Sequence, residues 1–385
     1  MPDKPVSQAR WTQTALPPVL MLGDHFGYAG GVAHGGTVYF LNVLPALKQA
    51  GLDVTACFLR EPHPATMGLQ DAGVESIFLS AGRMNPAVVY HVACIARERG
   101  CRIIHAAGLK ATLVARIVGR LTGLKVIVHL HDLNRPGWMV GALHGLFARA
   151  DDLGICVSRA ARETAIAGYG LRPERLRVVY NGLALERLRY VAGMAGRTRR
   201  AELGIPAERK VILMVARMHP VKGHREMLHI MSGVVQVHPD ALLLLAGDGP
   251  ERAACETLVR QLGLVSHVQF LGQRNDVPEL LAASDLVVVP SLQEGLSLSA
   301  IEALAVGKPV VAHAVGGLPE VVSDGVDGRL IALGDRVAFA QAIIDMFHHP
   351  ETLTAYGERG MREAERFSLE RHVVALLDCY HELAS

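Results

Sequence analysis

Short runs of consecutive apolar residues alternate along this chain with longer stretches whose apolar positions recur every three or four residues. The first pattern suits strands buried on both faces and the second suits covering helices, so the alternation predicts parallel sheets with helices packed over them. In the first half the strand candidates are Pro18–Leu22, Val54–Leu59, Ile103–Ile104, Lys125–His129, Asp152–Val157 and Leu176–Tyr180, with helical stretches at Tyr39–Gln49, Ala87–Glu98 and Ala111–Leu121. A second series follows at Lys210–Val215, Ala241–Ala246, Val268–Leu271, Leu286–Val289 and Pro309–Ala312, then a tail helix over Glu370–Leu383. Between them ERLRYVAGMAGRTRRAELGIPAER, 186–209, breaks the rhythm and reads as linker. The fold class predicted is α/β: two Rossmann-like, doubly wound domains facing a cleft, with ligands at the carboxyl ends of the strands. The boundaries expected are a polar tail over 1–16, a first domain over 17–200 and a second over 205–368. A final helix at about 369–385 packs back on the first domain.

The length of 385 residues agrees with two cores rather than one. A net charge of +2 gives no mandate for nucleic acid. The six cysteines are scattered without a CxxC pair, as expected of buried thiols in a reducing compartment. The first residues lack the apolar centre of a signal peptide, and no run reaches the length of a membrane span. The expected location is therefore cytoplasmic. Arg187, Arg189, Arg197, Arg199 and Arg200 leave open a peripheral contact with anionic lipid, against the plainer reading of a solvated linker.

The informative chemistry lies in QEGLSLSAIEALAVGKPVV, 293–311. Here Glu294 and Glu302 stand eight positions apart, beside the start of a helix expected from about Ser297 to Val306. Helix starts bind phosphate, which bare carboxylates repel. Both features fit one ligand if the carboxylates accept from neutral hydroxyls while the amides take the phosphate, as a nucleotide sugar requires. Arg217 and Lys222, just past the first strand of the second half, supply the compensating cations.

With RMHPVKG (217–223), LLLLAGDGPER (242–252), FLGQRNDVPELLAASDLVVVPS (270–291), EGLSLSAIEALAVGKPVVAHAVGGLPEVV (294–322) and DGRL (327–330), the second half resembles the retaining glycosyltransferases of family 4, of GT-B fold. The first half is similar in outline through IIHAAGLKATLVARIVGRLTG (103–123), VHLHD (128–132), VSRA (157–160) and VVYNGL (178–183). The resemblance implies a metal-independent, front-face transfer from a UDP- or GDP-linked sugar to a glycan, glycolipid or small-molecule acceptor, with no cofactor. It implies Arg217 and Lys222 on the donor diphosphate and Glu294 on the transferred sugar. The backbone of Gly295, Leu296, Ser297 and Leu298 helps Glu294, and Glu302 takes the ribose. Gly272 and Arg274 face the nucleobase, and His131 lies near the donor sugar.

In the first half His129 and His131 also spell an HxH metal pair, but no matching ligands follow; His129 is expected to be structural. The glycine-rich loop at 23–40 carries two Gly-Gly pairs, Gly30-Gly31 and Gly35-Gly36, where the family carries one. Distance to the helix end favours Gly35 and Gly36 as the donor contact. His105 and Lys110, at a strand's carboxyl end, are expected to face the cleft on the acceptor side. A dinucleotide dehydrogenase would need G-x-G-x-x-G, and the nearest match, Gly247-Asp-Gly249-Pro-Glu-Arg252, has arginine at the third glycine. A GT-B-type sugar-nucleotide epimerase, a phosphorylase of that fold and a non-catalytic nucleotide-sugar-binding protein remain the rival readings.

Overall fold

The computed structural model describes residues 16–27, 35–80, 85–131, 133, 138–169 and 171–385. The expected tail at 1–16, Leu16 apart, and the Gly30-Gly31 pair lie outside them. Seven strands form the first sheet: β1 (Val19–Gly23), β2 (Val54–Phe58), β3 (Glu75–Phe78), β4 (Ile103–Ala107), β5 (Lys125–Leu130), β6 (Leu153–Cys156) and β7 (Leu176–Val178). Six form the second: β8 (Lys210–Val215), β9 (Ala241–Ala246), β10 (Val268–Gly272), β11 (Leu286–Val289), β12 (Val310–His313) and β13 (Gly328–Ile331). All pairs are parallel, in the orders β3-β2-β1-β4-β5-β6-β7 and β10-β9-β8-β11-β12-β13. Each order reverses direction once, between β1 and β4 and between β8 and β11. A crevice opens beyond the strand ends at such a reversal.

Central strands are buried along their length, as in Val19–Gly23 and Ala241–Ala246, which is why they read as unbroken apolar runs. The two strands that the pattern missed explain themselves: Glu75–Phe78 and Gly328–Ile331 sit at sheet edges with mixed burial and mixed sequence. The helix Leu369–Ala384 lays Val373, Leu376, Leu377 and Tyr380 against the first sheet.

The expected linker is structured. Residues Leu185–Glu202 form an 18-residue helix docked on the second domain. Arg200 bonds Asp285 at 2.7 Å, Arg199 pairs with Asp276 and Glu202, and Arg189 reaches the carbonyls of Ala305 and Met361 at 3.0 and 2.9 Å. Three of the five arginines considered for lipid thus hold this helix in place. They add to the packing of Leu185, Leu188 and Ala192, a stripe too short and too diluted by arginine and glycine to stand out as hydrophobic periodicity.

Candidate active site

A cavity of about 830 Å³ lies between the strand ends of the two sheets. From the second domain Arg217, Lys222, Arg274, Glu294, Leu296, Ser297, Leu298 and Glu302 line it; from the first come Gly35, Gly36 and His131.

Local backbone chemistry builds the cationic side. After β8 the chain turns through Pro220–Lys222 into Gly223, whose φ is +75°. A Cβ there would stand 2.0 Å from the carbonyl oxygen of Pro290, so only glycine lets this turn seat against the end of β11. Leu292 N donates to Val221 O at 2.8 Å and ties the turn to the Glu294 loop. Lys222 Nζ consequently reaches Glu294 Oε2 at 2.7 Å, and Ser291 Oγ donates to the same oxygen at 3.0 Å.

The helix expected here runs over Leu298–Ala305, capped by Ser297, whose Oγ accepts from Ala300 N at 3.3 Å. Its apolar face buries Ile301 and Leu304, which turns Glu302 toward the cavity. Amides in a helix's first turn lack intrahelical partners, and here that turn opens on the cavity at Leu298 and Ser299. The two glutamates therefore flank a helix start, as their spacing suggested. Burial pushes the Glu302 carboxyl up to about 7.

His131 follows β5, and burial with the nearby His372 pushes it down to about 3. It is neutral at neutral pH and offers a hydrogen bond rather than charge. Its ring stacks on His129 at 4.0 Å between centroids. His129 Nδ1 lies 3.1 Å from His105 Nε2, and His105 Nδ1 lies 2.7 Å from Tyr380 Oη. Here the structure corrects an expectation: His105 is fully buried in the middle of β4 and tied to the C-terminal helix. A strand of five residues, not two, places it one turn of the pleat below the cleft. Lys110, in the first turn of the helix Leu109–Thr122, is exposed and does not line the cavity. Gly272 and Gly295 also lie outside the lining; Gln273, Arg274 and Leu296 beside them carry the contact surface. Arg274 is held by Asp276 through bonds of 2.7 and 2.5 Å.

Sequence reasoning missed Asn181 and Asp248, which also line the cavity. Asn181 is 6% exposed and its Oδ1 is buried without a hydrogen-bond partner among the described residues. The VVYNGL motif held the signal, since an asparagine straight after a strand end is well placed to meet a ligand. Among the described residues no group of three or more His, Cys, Asp or Glu is arranged to hold a metal, which leaves the HxH pair without further ligands. No helix among them is long and apolar enough to cross a membrane.

Known proteins match this chain in sequence and in fold. The model of Glycosyltransferase Family 4 matches residues 33–187, and that of Glycosyl transferases group 1 matches 197–363. The putative glycosyltransferase EpsD of Bacillus subtilis (strain 168) is 31% identical over 199 residues, 52% of each chain. The D-inositol 3-phosphate glycosyltransferase of Saccharomonospora viridis is 36% identical over 226 residues, covering 56% of this chain and 52% of the relative. The chain spans about half the length of the curated relatives it matches. Among solved structures, HepE of Anabaena in complex with UDP superposes with a TM-score of 0.81 at 23% identity, covering 95% of this chain and 100% of that one. Sucrose-phosphate synthase of Thermosynechococcus elongatus gives 0.82 at 24%, covering 96% and 100%. Matched in sequence across both halves and in architecture across nearly its whole length, this chain belongs to the family 4, group 1 glycosyltransferases and has their GT-B fold.

Proposed function

We propose that the protein transfers a sugar, with retention, from a nucleotide-diphospho-sugar to a hydroxyl acceptor. The observation that carries this reading is the convergence of Arg217, Lys222, Glu294 and Glu302 around one helix start in one cavity. The diphosphate sits on the first-turn amides, with Arg217 and Lys222 neutralising its charge. Glu294 takes the hydroxyls of the transferred sugar and Glu302 those of the ribose. The leaving phosphate oxygen helps deprotonate the acceptor on the same face, so the chain's contribution is orientation and electrostatic stabilisation. Charge neutralisation comes from side chains, and transfer is expected with and without magnesium. The neighbour HepE is a complex with UDP, which favours a uridine nucleotide here. The acceptor is a glycan, glycolipid or small molecule that enters from the first-domain side, where His131 and the Gly35-Gly36 turn meet the donor sugar and Asn181 lines the same cavity.

Thermal unfolding with UDP, GDP, ADP, CDP and NAD, with and without magnesium, tests the donor assignment. A ligand at a hundred times its Kd raises stability by about 2.7 kcal/mol. A shift with one nucleoside diphosphate is expected, and a shift with NAD alone overturns the reading.

Two further outcomes follow. Replacing Glu294 with alanine should leave UDP affinity within about threefold while cutting kcat at least about tenfold, because its partner is the sugar and not the nucleotide. Titration calorimetry with UDP beside single-turnover kinetics separates the two; a collapse of UDP binding would put the sugar and ribose at the wrong ends. For Glu302 the expectation is a pH profile. Its carboxylate, the stronger acceptor, forms as pH rises through about 7. Donor affinity should therefore climb about fivefold between pH 6 and 8, the difference between a charged and a neutral hydrogen bond. Glu302→Gln should flatten that profile. The intact nucleotide sugar is the right probe, because free UDP has its own phosphate ionisation near 6.

A further inference from the structure

The chain crosses between its domains twice, at residues 179–184 and 364–368. The crossings pair: Leu183 N donates to Phe367 O and Leu369 N to Leu183 O, both at 2.9 Å. Two short backbone crossings make a hinge and do not by themselves fix an angle.

Beside this hinge Glu320, on the second-domain turn Leu318–Glu320, reaches into the first domain. Its carboxylate accepts from Arg159 N at 2.9 Å, Ala160 N at 3.1 Å and Tyr180 Oη at 3.0 Å. Arg159 and Ala160 open the helix Arg159–Tyr169, where amides lack intrahelical partners and the dipole favours an anion. Ser158 Oγ takes only the next amide, Ala161 N, at 3.0 Å. A first-domain helix is thus capped from the other domain. Tyr180 is itself pinned, with its carbonyl on His372 Nδ1 at 2.7 Å and its ring edge-on to Phe367.

The other side of the same turn is fastened to the candidate active site. Gly317 N donates to Glu294 O at 2.9 Å. Gly316, at φ +54°, lies so close that a Cβ would stand 1.9 Å from that oxygen. One residue before Glu294, Gln293 Nε2 donates to Leu133 O at 2.8 Å, two residues past His131.

We infer that Glu320 is a positioning residue, which sets the angle between the domains at which the Glu294 loop faces His131. The Gly316-Gly317 turn transmits that angle to Glu294, and the Gln293–Leu133 bond repeats it at the cleft. For its kinetic arm alone this inference rests on the glycosyl-transfer reading.

The test compares full-length wild type, Glu320→Ala and Tyr180→Phe by small-angle X-ray scattering without ligand, by UDP titration and by steady-state kinetics. Glu320→Ala should have a larger radius of gyration than wild type and a kcat about tenfold lower, with UDP affinity held within about threefold. Tyr180→Phe keeps both amide bonds and should fall between the two, which decides the matter if Glu320→Ala does not fold. An unchanged radius with kcat within about twofold of wild type overturns the inference. So does a loss of UDP affinity equal to the loss of kcat, because Glu320 would then be shaping the donor pocket itself. Should wild type bind no UDP, the donor assignment fails while the scattering comparison still decides the role of Glu320.

Discussion

Lys222→Ala is expected to lower kcat about 10²- to 10³-fold, the loss seen when one preorganised electrostatic group is removed from a site of developing charge. As a glycosyl group leaves, negative charge accumulates on the diphosphate, and Lys222 lines the cavity with Arg217 and Arg274. The loss exceeds that of one charge, because Lys222 also holds Glu294 at 2.7 Å. Without it the Glu294 carboxylate keeps the Ser291 hydroxyl but faces the incoming phosphates uncompensated. Donor affinity should fall less than turnover, because Arg217 and the first-turn amides still grip the ground-state diphosphate. Lys222→Arg should recover part of the rate, since its planar fork carries the charge from a different position. Single-turnover rates beside Kd for the nucleotide separate the effects; turnover within about twofold of wild type would remove Lys222 from the leaving-group role.

The second-domain site was legible because its chemistry is contiguous. Glu294, the capping Ser297 and Glu302 lie within nine residues, and the helix period places both carboxylates beside the helix start. Arg217 and Lys222 follow a strand whose apolar run is unbroken, so the cleft end of β8 could be found from pattern alone. The first domain yields less. His105 and His131 have the same local look, a histidine in or after an apolar run, yet one is sealed inside β4 and the other reaches the cavity. What separates them is strand length and the return of the C-terminal helix, whose Tyr380 claims His105 from 275 positions away. The clasp of Glu320 is hidden for a similar reason. Two of its three partners are backbone amides, which leave no mark in side-chain pattern, and the third, Tyr180, lies 140 positions away. The helix at Leu185–Glu202 was misread because its few buried apolar residues are interspersed with arginines, whose bonds to carboxylates and carbonyls supply much of its docking.

Asp151→Ala is expected to destabilise the first domain by about 3–5 kcal/mol, the cost of leaving one charge of a buried pair behind. Arg116 is 1% exposed, and its guanidinium meets both oxygens of Asp151, at 2.7 and 2.5 Å. The guanidinium also meets His144, with Nδ1 at 2.9 Å and its carbonyl at 3.0 Å. Burial and the arginine push that imidazole down to about 4, so it accepts a hydrogen bond but brings no negative charge. Nothing in this contact set can replace the carboxylate. Burial also raises Asp151 above the usual carboxylate range while Arg116 pulls it back, which marks a pair whose desolvation offsets much of its attraction. The single and double replacements should therefore differ in kind. Arg116→Met with Asp151→Leu removes both charges, fills similar volume and should recover most of the lost stability. Urea unfolding followed with UDP present makes the result specific. Because the proposed nucleotide contacts lie in the second domain, Asp151→Ala should bring the first-domain transition to lower urea and leave the UDP-dependent transition in place. Equal destabilisation by the single and double variants would show that packing around Asp151, and not its charge, holds the helix Leu109–Thr122 to the sheet.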